Sequence, residues 1–223
     1  MPRKPREVHP DLPHHVILRG NNRRRLFTRA NDYQHFLSFL GESLATHRVA
    51  LHAATLMSNH VHLILRPPDG EALAKMVKSA AQRFAVHRNR EHHGSGKLFE
   101  QRYFCAAVTT DEYLARVTCY NDLNAVRAGI VDDPLGFRWS TYALHAGQPG
   151  HAAVPVEMWT PSPWYLALGA DPGERAARYV EAAWAYVTHA LPDRHAAIAT
   201  AAEALSARRA TRPVPRPDRT RAD

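Results

Sequence analysis

The sequence predicts an α+β domain in which helices alternate with the strands of one antiparallel sheet. Short apolar runs bounded by turn residues are typical of strands, and between them lie longer segments with apolar residues at helical spacing. The resulting order, β-α-β-β-α-β-α, is the split βαβ arrangement of ferredoxin-like folds with an extra helix after the last strand. We expect this domain to occupy residues 8–145, followed by a helical extension over 146–206 and a disordered basic tail over 207–223.

Three strands and one helix are predicted in the first half of the domain. In chain order they are a strand over 14–20, a helix over 31–47, and strands over 49–57 and 60–66. Apolar residues at i, i+3 and i+4 spacing indicate the helix, and Asn31 or Asp32 precedes them as a cap. Gly20 ends the first strand, and the Ser58-Asn59 turn joins the last two.

A second helix, a fourth strand and a third helix complete the predicted core. They cover residues 71–87, 102–110 and 111–128. A polar, glycine-containing loop over 89–97 separates the second helix from the fourth strand. Gly129 stands directly after the third helix, where a glycine often takes the left-handed conformation, so we expect the helix to end there.

The composition indicates a globular protein with a polyanionic partner. The chain has 223 residues, 45% of them hydrophobic, and a formal net charge of +8. Such an excess favours nucleic acid as the partner, with an anionic membrane surface second. The only cysteines, Cys105 and Cys119, argue against a disulfide scaffold and for a reducing cytoplasm. We expect neither a signal peptide nor a transmembrane segment, and no association with membranes.

Two histidines in the third strand, His60 and His62, are the first candidate functional residues. Residues i and i+2 of a strand project from the same face, so the two imidazoles lie side by side. Two neutral imidazoles on a rigid strand suit a divalent metal, and the alternative is a pair of polar residues on an exposed sheet face. Zinc is the less expected metal, because a closed zinc site usually includes cysteines and no CxxC pair is present.

The third helix carries Tyr120 and Asn124, which are one turn apart and therefore lie on one face. An aromatic stripe of this kind is more often part of a core. In a ferredoxin-like fold, however, this helix can lie close to the third strand, so that Tyr120 and Asn124 face the two histidines. Asn124 would then supply an oxygen ligand, and the phenol would lie within reach of whatever a metal holds.

With these residues in place, the chain resembles the REP-associated tyrosine transposases, which are HUH single-tyrosine transposases of the IS200-like kind. The resemblance is carried by residues 15–27, 57–65, 98–104 and 120–131. It implies that Tyr120, in the extra helix, is the catalytic nucleophile. It also implies that His60, His62 and Asn124 hold Mg²⁺ or Mn²⁺. Ala125 departs from the family pattern, which usually has proline after the asparagine.

The function that this resemblance implies is cleavage and rejoining of single-stranded DNA at palindromic hairpins in the bacterial cytoplasm, at the nucleoid. Tyr120 would form a 5′-phosphotyrosine and leave a free 3′-hydroxyl. Two alternatives stay open: a domesticated protein that binds hairpins without cutting, and a metal-dependent phosphodiesterase that uses water. The sequence does not decide between a monomer and a homodimer.

A positive surface is predicted to hold the DNA phosphates. The residues assigned to it are Arg19, Arg23, Arg24, Arg25, Lys78, Arg83, Lys97 and Arg102. Phe99, Tyr103 and Phe104 are candidates for stacking on bases, and at least one of them is expected in the core. A further set of histidines is considered as extra ligands but expected mostly at the surface: His14, His15, His52, His92 and His93.

Overall fold

The computed structural model describes residues 8–100 and 102–190. Its strands are β1 (His14–Arg19), β2 (Ala50–Met57), β3 (His60–Arg66) and β4 (Phe104–Ala107). Its helices are α1 (Ala30–His47), α2 (Ala72–Glu91), α3 (Asp111–Asp122), α4 (Asn124–Arg127), α5 (Tyr142–His145), α6 (Pro163–Ala167) and α7 (Pro172–Ala190). The predicted tail and the last part of the predicted extension lie outside the described residues.

The four strands form one antiparallel sheet in the order β2-β3-β1-β4. Both crossovers are helical, and the two central strands are β1 and β3. This is the split βαβ order, so the predicted α+β, ferredoxin-like class is confirmed. The register places Ile17 opposite His62 and Arg19 opposite His60. Residues directly opposite each other point to the same face, so these four side chains share one side of the sheet.

Helices α1 and α2 cover the other side of the sheet. There Val16, Leu18 and Leu63 pack with Phe36 of α1 and Phe84 of α2 in one apolar cluster, and none of the five is more than 4% exposed. Each such side chain contributes about 1.5–3 kcal/mol when it is fully removed from water. This core is the part of the molecule that the apolar periodicity of the sequence predicts directly.

Helix α3 and the chain after it cover the side of the sheet that carries the histidines. Leu114 and Val117 of α3 pack with Ala53 and Ile64 of the sheet. A separate apolar cluster joins the end of α3 and the segment after it to Tyr142, Tyr165 and Tyr179, together with Cys119, Leu123 and Val126. The described part of the extension therefore shares a core with α3.

The prediction of one continuous helix over 111–128 is wrong. Helix α3 ends at Asp122, and Leu123, with φ −92° and ψ 9°, separates it from α4. The hydroxyl of Thr55 on β2 donates to the carbonyl of Asn121 at 2.8 Å, which is the acceptor that a straight helix would offer to Ala125. Insertion of a side chain into the helical hydrogen-bond ladder is a recognised cause of a kink.

The predicted end at Gly129 is confirmed. Gly129 has φ +69°, and its N–H donates to the carbonyl of Val126 while the N–H of Ile130 donates to that of Ala125. These two bonds form a Schellman motif, which satisfies the last carbonyls of α4.

Other boundaries differ by a few residues. Strand β4 is confined to residues 104–107, because its only described strand partner is β1. Helix α2 continues to Glu91, and Arg88 in its last turn donates from Nε to the carbonyl of Leu26 at 3.0 Å. Asp32 lies inside the first turn of α1, where its carboxylate accepts from the N–H of Arg29 in a capping box.

Within residues 8–100 and 102–190, no helix is both long and apolar enough to cross a membrane.

Candidate active site

Three imidazoles lie together on the sheet face under α3. The rings of His60 and His62 are 4.8 Å apart between centroids. His15 on the neighbouring strand stacks on His62 with centroids 5.3 Å apart, and its Nε2 is 3.1 Å from Nδ1 of His62. The i, i+2 spacing placed the first two on one face, whereas His15 joins them only through the pairing of β1 with β3.

The expectation that most other histidines lie at the surface is wrong for His14, His15 and His52, which are 0%, 7% and 1% exposed. His14 Nδ1 donates to the carbonyl of Leu12, and His52 Nδ1 donates to that of Thr160, both at 2.8 Å. These two bonds give His14 and His52 structural roles. His15 differs because its partner is one of the candidate ligands.

Burial makes the clustered histidines weak bases. Loss of solvation lowers the pKa of His62 to about 3 and that of His15 to about 4, and it also lowers the pKa of His60. At neutral pH these rings are therefore uncharged, which is the form in which an imidazole nitrogen binds a metal. Nδ1 of His60 lies 2.6 Å from the amide oxygen of Asn59, so Nδ1 carries the proton and Nε2 offers its lone pair.

Helix α3 places Tyr120 over this cluster. Its half-buried ring meets His62 nearly edge-on at a centroid distance of 5.7 Å and His15 at 6.4 Å. Tyr120 and the histidine pair are thus neighbours in space, as the sequence analysis expected of this helix and strand.

Asn124 is placed differently from the expectation. It lies in α4, beyond the kink, so it does not share a straight helix face with Tyr120. Its side chain is 7% exposed, and Nδ2 has no hydrogen-bond partner among the described residues. Within the same residues no hydrogen bond joins it to His60 or His62. A buried amide with an unpartnered Nδ2 can offer its Oδ1 to a hard divalent cation, and neutral imidazoles are also suitable ligands for such a cation. No group of three or more His, Cys, Asp or Glu suited to a metal occurs in residues 8–100 and 102–190.

A buried carboxylate fixes the chain directly after Tyr120. Asp122 accepts from the hydroxyls of Thr141 and Tyr179 and from Nδ1 of His145, each at 2.7 Å. The hydroxyl of Thr141 also accepts from the N–H of Ala54 on β2 at 2.9 Å. No local sequence pattern predicts this network, because the partners of Asp122 lie 19, 23 and 57 residues away along the chain.

The loop after β1, which contains Arg23, Arg24 and Arg25, borders the histidine cluster. Arg19 lies opposite His60 in the sheet, and the N–H of Gly20 donates to the carbonyl of Asn59 at 2.8 Å. A Cβ at Gly20 would stand 2.1 Å from the carbonyl oxygen of Arg24, so only glycine permits this turn. The adjacent arginines predicted to bind DNA, Arg23, Arg24 and Arg25, are all exposed here.

The other predicted DNA-binding residues lie elsewhere. A pocket of about 350 Å³ beside α2 is lined by Lys78, Lys97 and Arg102. It lies on the side of the sheet that α1 and α2 cover. Arg83 pairs with Glu42 at 2.6 Å, with both side chains largely exposed. The structure therefore divides the predicted basic residues into a group at the histidines and a group around α2.

The three candidate stacking residues also separate. Phe99 and Tyr103 pack against the core under α2, as expected for at least one of them. Phe104 is 52% exposed and lies 5.9 Å from His15 between ring centroids. It is thus the member of the set that is exposed beside the histidine cluster.

Arg127 completes the cluster and was missed by the sequence analysis. Its guanidinium carbon lies 4.3 Å from the centroid of the Tyr120 ring. The spacing of seven residues from Tyr120 does not by itself predict this contact, because the kink at Leu123 separates α3 from α4.

A family model and solved structures are similar to this chain. The family model described as "Transposase IS200 like" matches residues 9–121. The solved structure of a REP-associated tyrosine transposase bound to a REP hairpin is similar with a TM-score of 0.56 and 15% identity, over 73% of this chain and 93% of that one. A putative transposase from Deinococcus radiodurans R1 aligns with a TM-score of 0.39 and 18% identity, over 53% and 94% of the two chains. A comparison with curated proteins finds no match.

Proposed function

We propose that this chain, which belongs to the IS200-like transposase family, cleaves and rejoins single-stranded DNA through Tyr120. The observation that carries the proposal is the contact of the Tyr120 ring with His62, on the sheet face from which His60 also projects. A phenol held against a pair of neutral imidazoles combines a nucleophile with the ligands of a cation.

In the proposed reaction the phenolic oxygen of Tyr120 attacks the phosphorus of a phosphodiester. The Oη–P bond forms, the P–O3′ bond breaks, and the 3′-oxygen leaves as a hydroxyl. The product is a 5′-phosphotyrosine, which conserves the energy of the diester. A later 3′-hydroxyl can reverse the step, so rejoining needs no ATP.

A cation is needed because an ordinary phenol, with a pKa near 10, is only about 0.1% ionised at pH 7, a deficit of roughly 4 kcal/mol. Mg²⁺ or Mn²⁺, when bound, would withdraw charge from the scissile phosphate. His60 and His62 are the proposed ligands, with the amide oxygen of Asn124 as a third. His15 would hold the ring of His62 through their 3.1 Å contact.

The proposed substrate is a single-stranded DNA hairpin. The similar solved protein is bound to a REP hairpin, and the fold match makes the same class of substrate reasonable here. Arg19 and the exposed arginines at 23–25 border the cluster and would bind phosphates, while Phe104 would stack on an unpaired base. We place this activity in the bacterial cytoplasm at the nucleoid, in a monomer or a homodimer.

The test is an adduct assay on a denaturing gel. Unaltered protein, Mn²⁺ and a labelled library of single-stranded hairpins should give a labelled band at the mass of the protein. Tyr120→Phe should abolish the band and leave hairpin binding within about threefold, because it removes one oxygen from a surface contact. Tyr113→Phe, on the same helix, is the matched control and should keep the band.

The other outcomes assign the alternatives. Cleavage without an adduct would identify a phosphodiesterase that uses water. Hairpin binding with neither product would identify a domesticated binding protein. An adduct that persists in Tyr120→Phe would show that another residue is the nucleophile.

A further inference from the structure

We propose that Arg127 is a second catalytic residue, which binds the scissile phosphate while Tyr120 attacks it. This inference rests on the proposed function. It gives the reaction a fixed protein cation whose charge does not depend on any bound metal.

The first observation is the position of the guanidinium. Its carbon lies 4.3 Å from the centroid of the Tyr120 ring, so it stacks on the nucleophile as a cation on an aromatic face. A phosphorus atom in line with the phenolic oxygen must lie close to that ring. Arg127 is therefore within reach of the same phosphate.

The second observation is that Arg127 has an unmet hydrogen bond. Its Nε is buried and has no partner among residues 8–100 and 102–190. No carboxylate in that part of the chain pairs with it either. A half-buried arginine with a bare N–H and no counter-ion is costly unless an anion arrives, and a phosphodiester is such an anion.

The third observation is the rigidity of the support. Arg127 is the last residue of α4, and the Schellman bonds of Gly129 and Ile130 close that helix directly after it. Its neighbours Ala125 and Val126 are only 1% exposed. The guanidinium is thus set on a packed turn, where it needs little reorganisation to meet the transition state.

The step balances with substrate and solvent alone. The Oη–P bond forms, the P–O3′ bond breaks, and the phenolic proton is transferred through solvent to the leaving 3′-oxygen. Negative charge builds on the two non-bridging oxygens in the transition state. The planar fork of an arginine can donate to both oxygens, which the ammonium of a lysine cannot do with the same geometry.

The experiment compares Arg127→Gln and Arg127→Lys with the unaltered protein in single-turnover adduct formation. We expect a loss of about 10²- to 10³-fold for the glutamine variant, as for other preorganised donors to a reacting oxygen, and partial activity for the lysine variant. Hairpin binding, measured in the Tyr120→Phe background, should change by less than about tenfold, since one phosphate contact is lost. Arg127→Ala should regain adduct formation when guanidinium ion is added.

Arg138→Gln is the matched control. Arg138 is an exposed arginine that also lies over an aromatic ring, that of Trp139 at 5.4 Å, so the substitution removes the same charge and a longer contact of the same kind. It should leave the adduct rate within about twofold, as for an ordinary surface substitution.

Each outcome decides the matter. An adduct rate for Arg127→Gln close to that of the unaltered protein overturns the role of Arg127 alone. A slow rate without rescue by guanidinium, together with an equal loss of binding, assigns Arg127 to binding or structure and also overturns it. If Arg127→Gln does not fold, the lysine variant and the rescue of Arg127→Ala decide. An absence of adduct in the unaltered protein overturns the proposed function, and this inference with it.

Discussion

The two faces of the sheet differ in their chemistry. On the side of α1 and α2, Val16 and Leu63 are fully buried among apolar neighbours. On the side of α3, His15, Thr55 and His62 are also almost fully buried. Buried polar groups cost free energy unless they are paired, whereas buried aliphatic groups stabilise the fold. The first face therefore supplies stability, whereas burial of the polar groups on the second face stabilises the fold less.

The helices on the two faces are also held in place by different kinds of interaction. Helices α1 and α2 are held to the sheet mainly by apolar packing, which is non-directional. The end of α3 is fixed by directional bonds: Thr55 to the carbonyl of Asn121, and Thr141, His145 and Tyr179 to Asp122. Directional bonds set the position of one side chain more narrowly, which suits the proposed role of α3 as the helix that carries the nucleophile.

The largest expected effect on adduct formation comes from removing the two imidazoles of β3 from the polar face of the sheet. Replacing both His60 and His62 with alanine should reduce metal-stimulated adduct formation by about 10³-fold, because a bound cation supplies several kcal/mol of charge stabilisation. Calorimetric titration with Mn²⁺ should show the lost binding independently of activity. Hairpin binding should persist, since the arginines at residues 23–25 are unchanged. Undiminished cleavage would remove these histidines from the site.

Breaking the apolar face should give the converse result. Phe84 is fully buried between Phe27 and Phe36. The substitution Phe84→Ala should therefore lower the free energy of unfolding by about 3–5 kcal/mol. Urea unfolding measures this loss. The adduct rate per folded molecule should stay near that of the unaltered protein. A selective loss of catalysis in a stable Phe84→Ala protein would show that the two faces are coupled.

The smallest effect is expected at the exposed edge of the polar face. Phe104→Ala should weaken binding of single-stranded DNA by about 1–3 kcal/mol through lost base stacking, while stability changes little. Fluorescence anisotropy with a labelled hairpin that has a single-stranded flank measures it. Val86→Ala removes another exposed apolar side chain, on α2, and should leave binding unaltered. Equal effects of the two substitutions would argue against stacking by Phe104.

The order and class of the elements could be predicted from the sequence because they depend on local spacing. The apolar residues of α1 and α2 repeat at helical intervals, and the pair His60 and His62 shares a face by the geometry of any strand. The juxtaposition of Tyr120 with that pair needed one more step, the placement of α3 on β3 in a ferredoxin-like fold.

The features that the sequence did not predict depend on contacts between distant segments. His15 enters the cluster only through the register of β1 against β3. The kink that separates Tyr120 from Asn124 arises from the hydroxyl of Thr55, 66 residues before the carbonyl of Asn121 that it contacts. The helix propensity of residues 111–128 does not include the effect of that hydroxyl. Here a tertiary contact overrides the propensity.

The bond between Asp122 and Tyr179 has a consequence for the protein during its synthesis. The two residues are 57 positions apart, so Asp122 leaves the ribosome well before its partner exists. At about 5–20 residues per second, the interval is roughly 3–11 seconds. During that time α3 lacks one of the bonds that fix its end. The three side-chain bonds to Asp122 that fix the end of α3 are therefore complete only after Tyr179 of α7 has been synthesised.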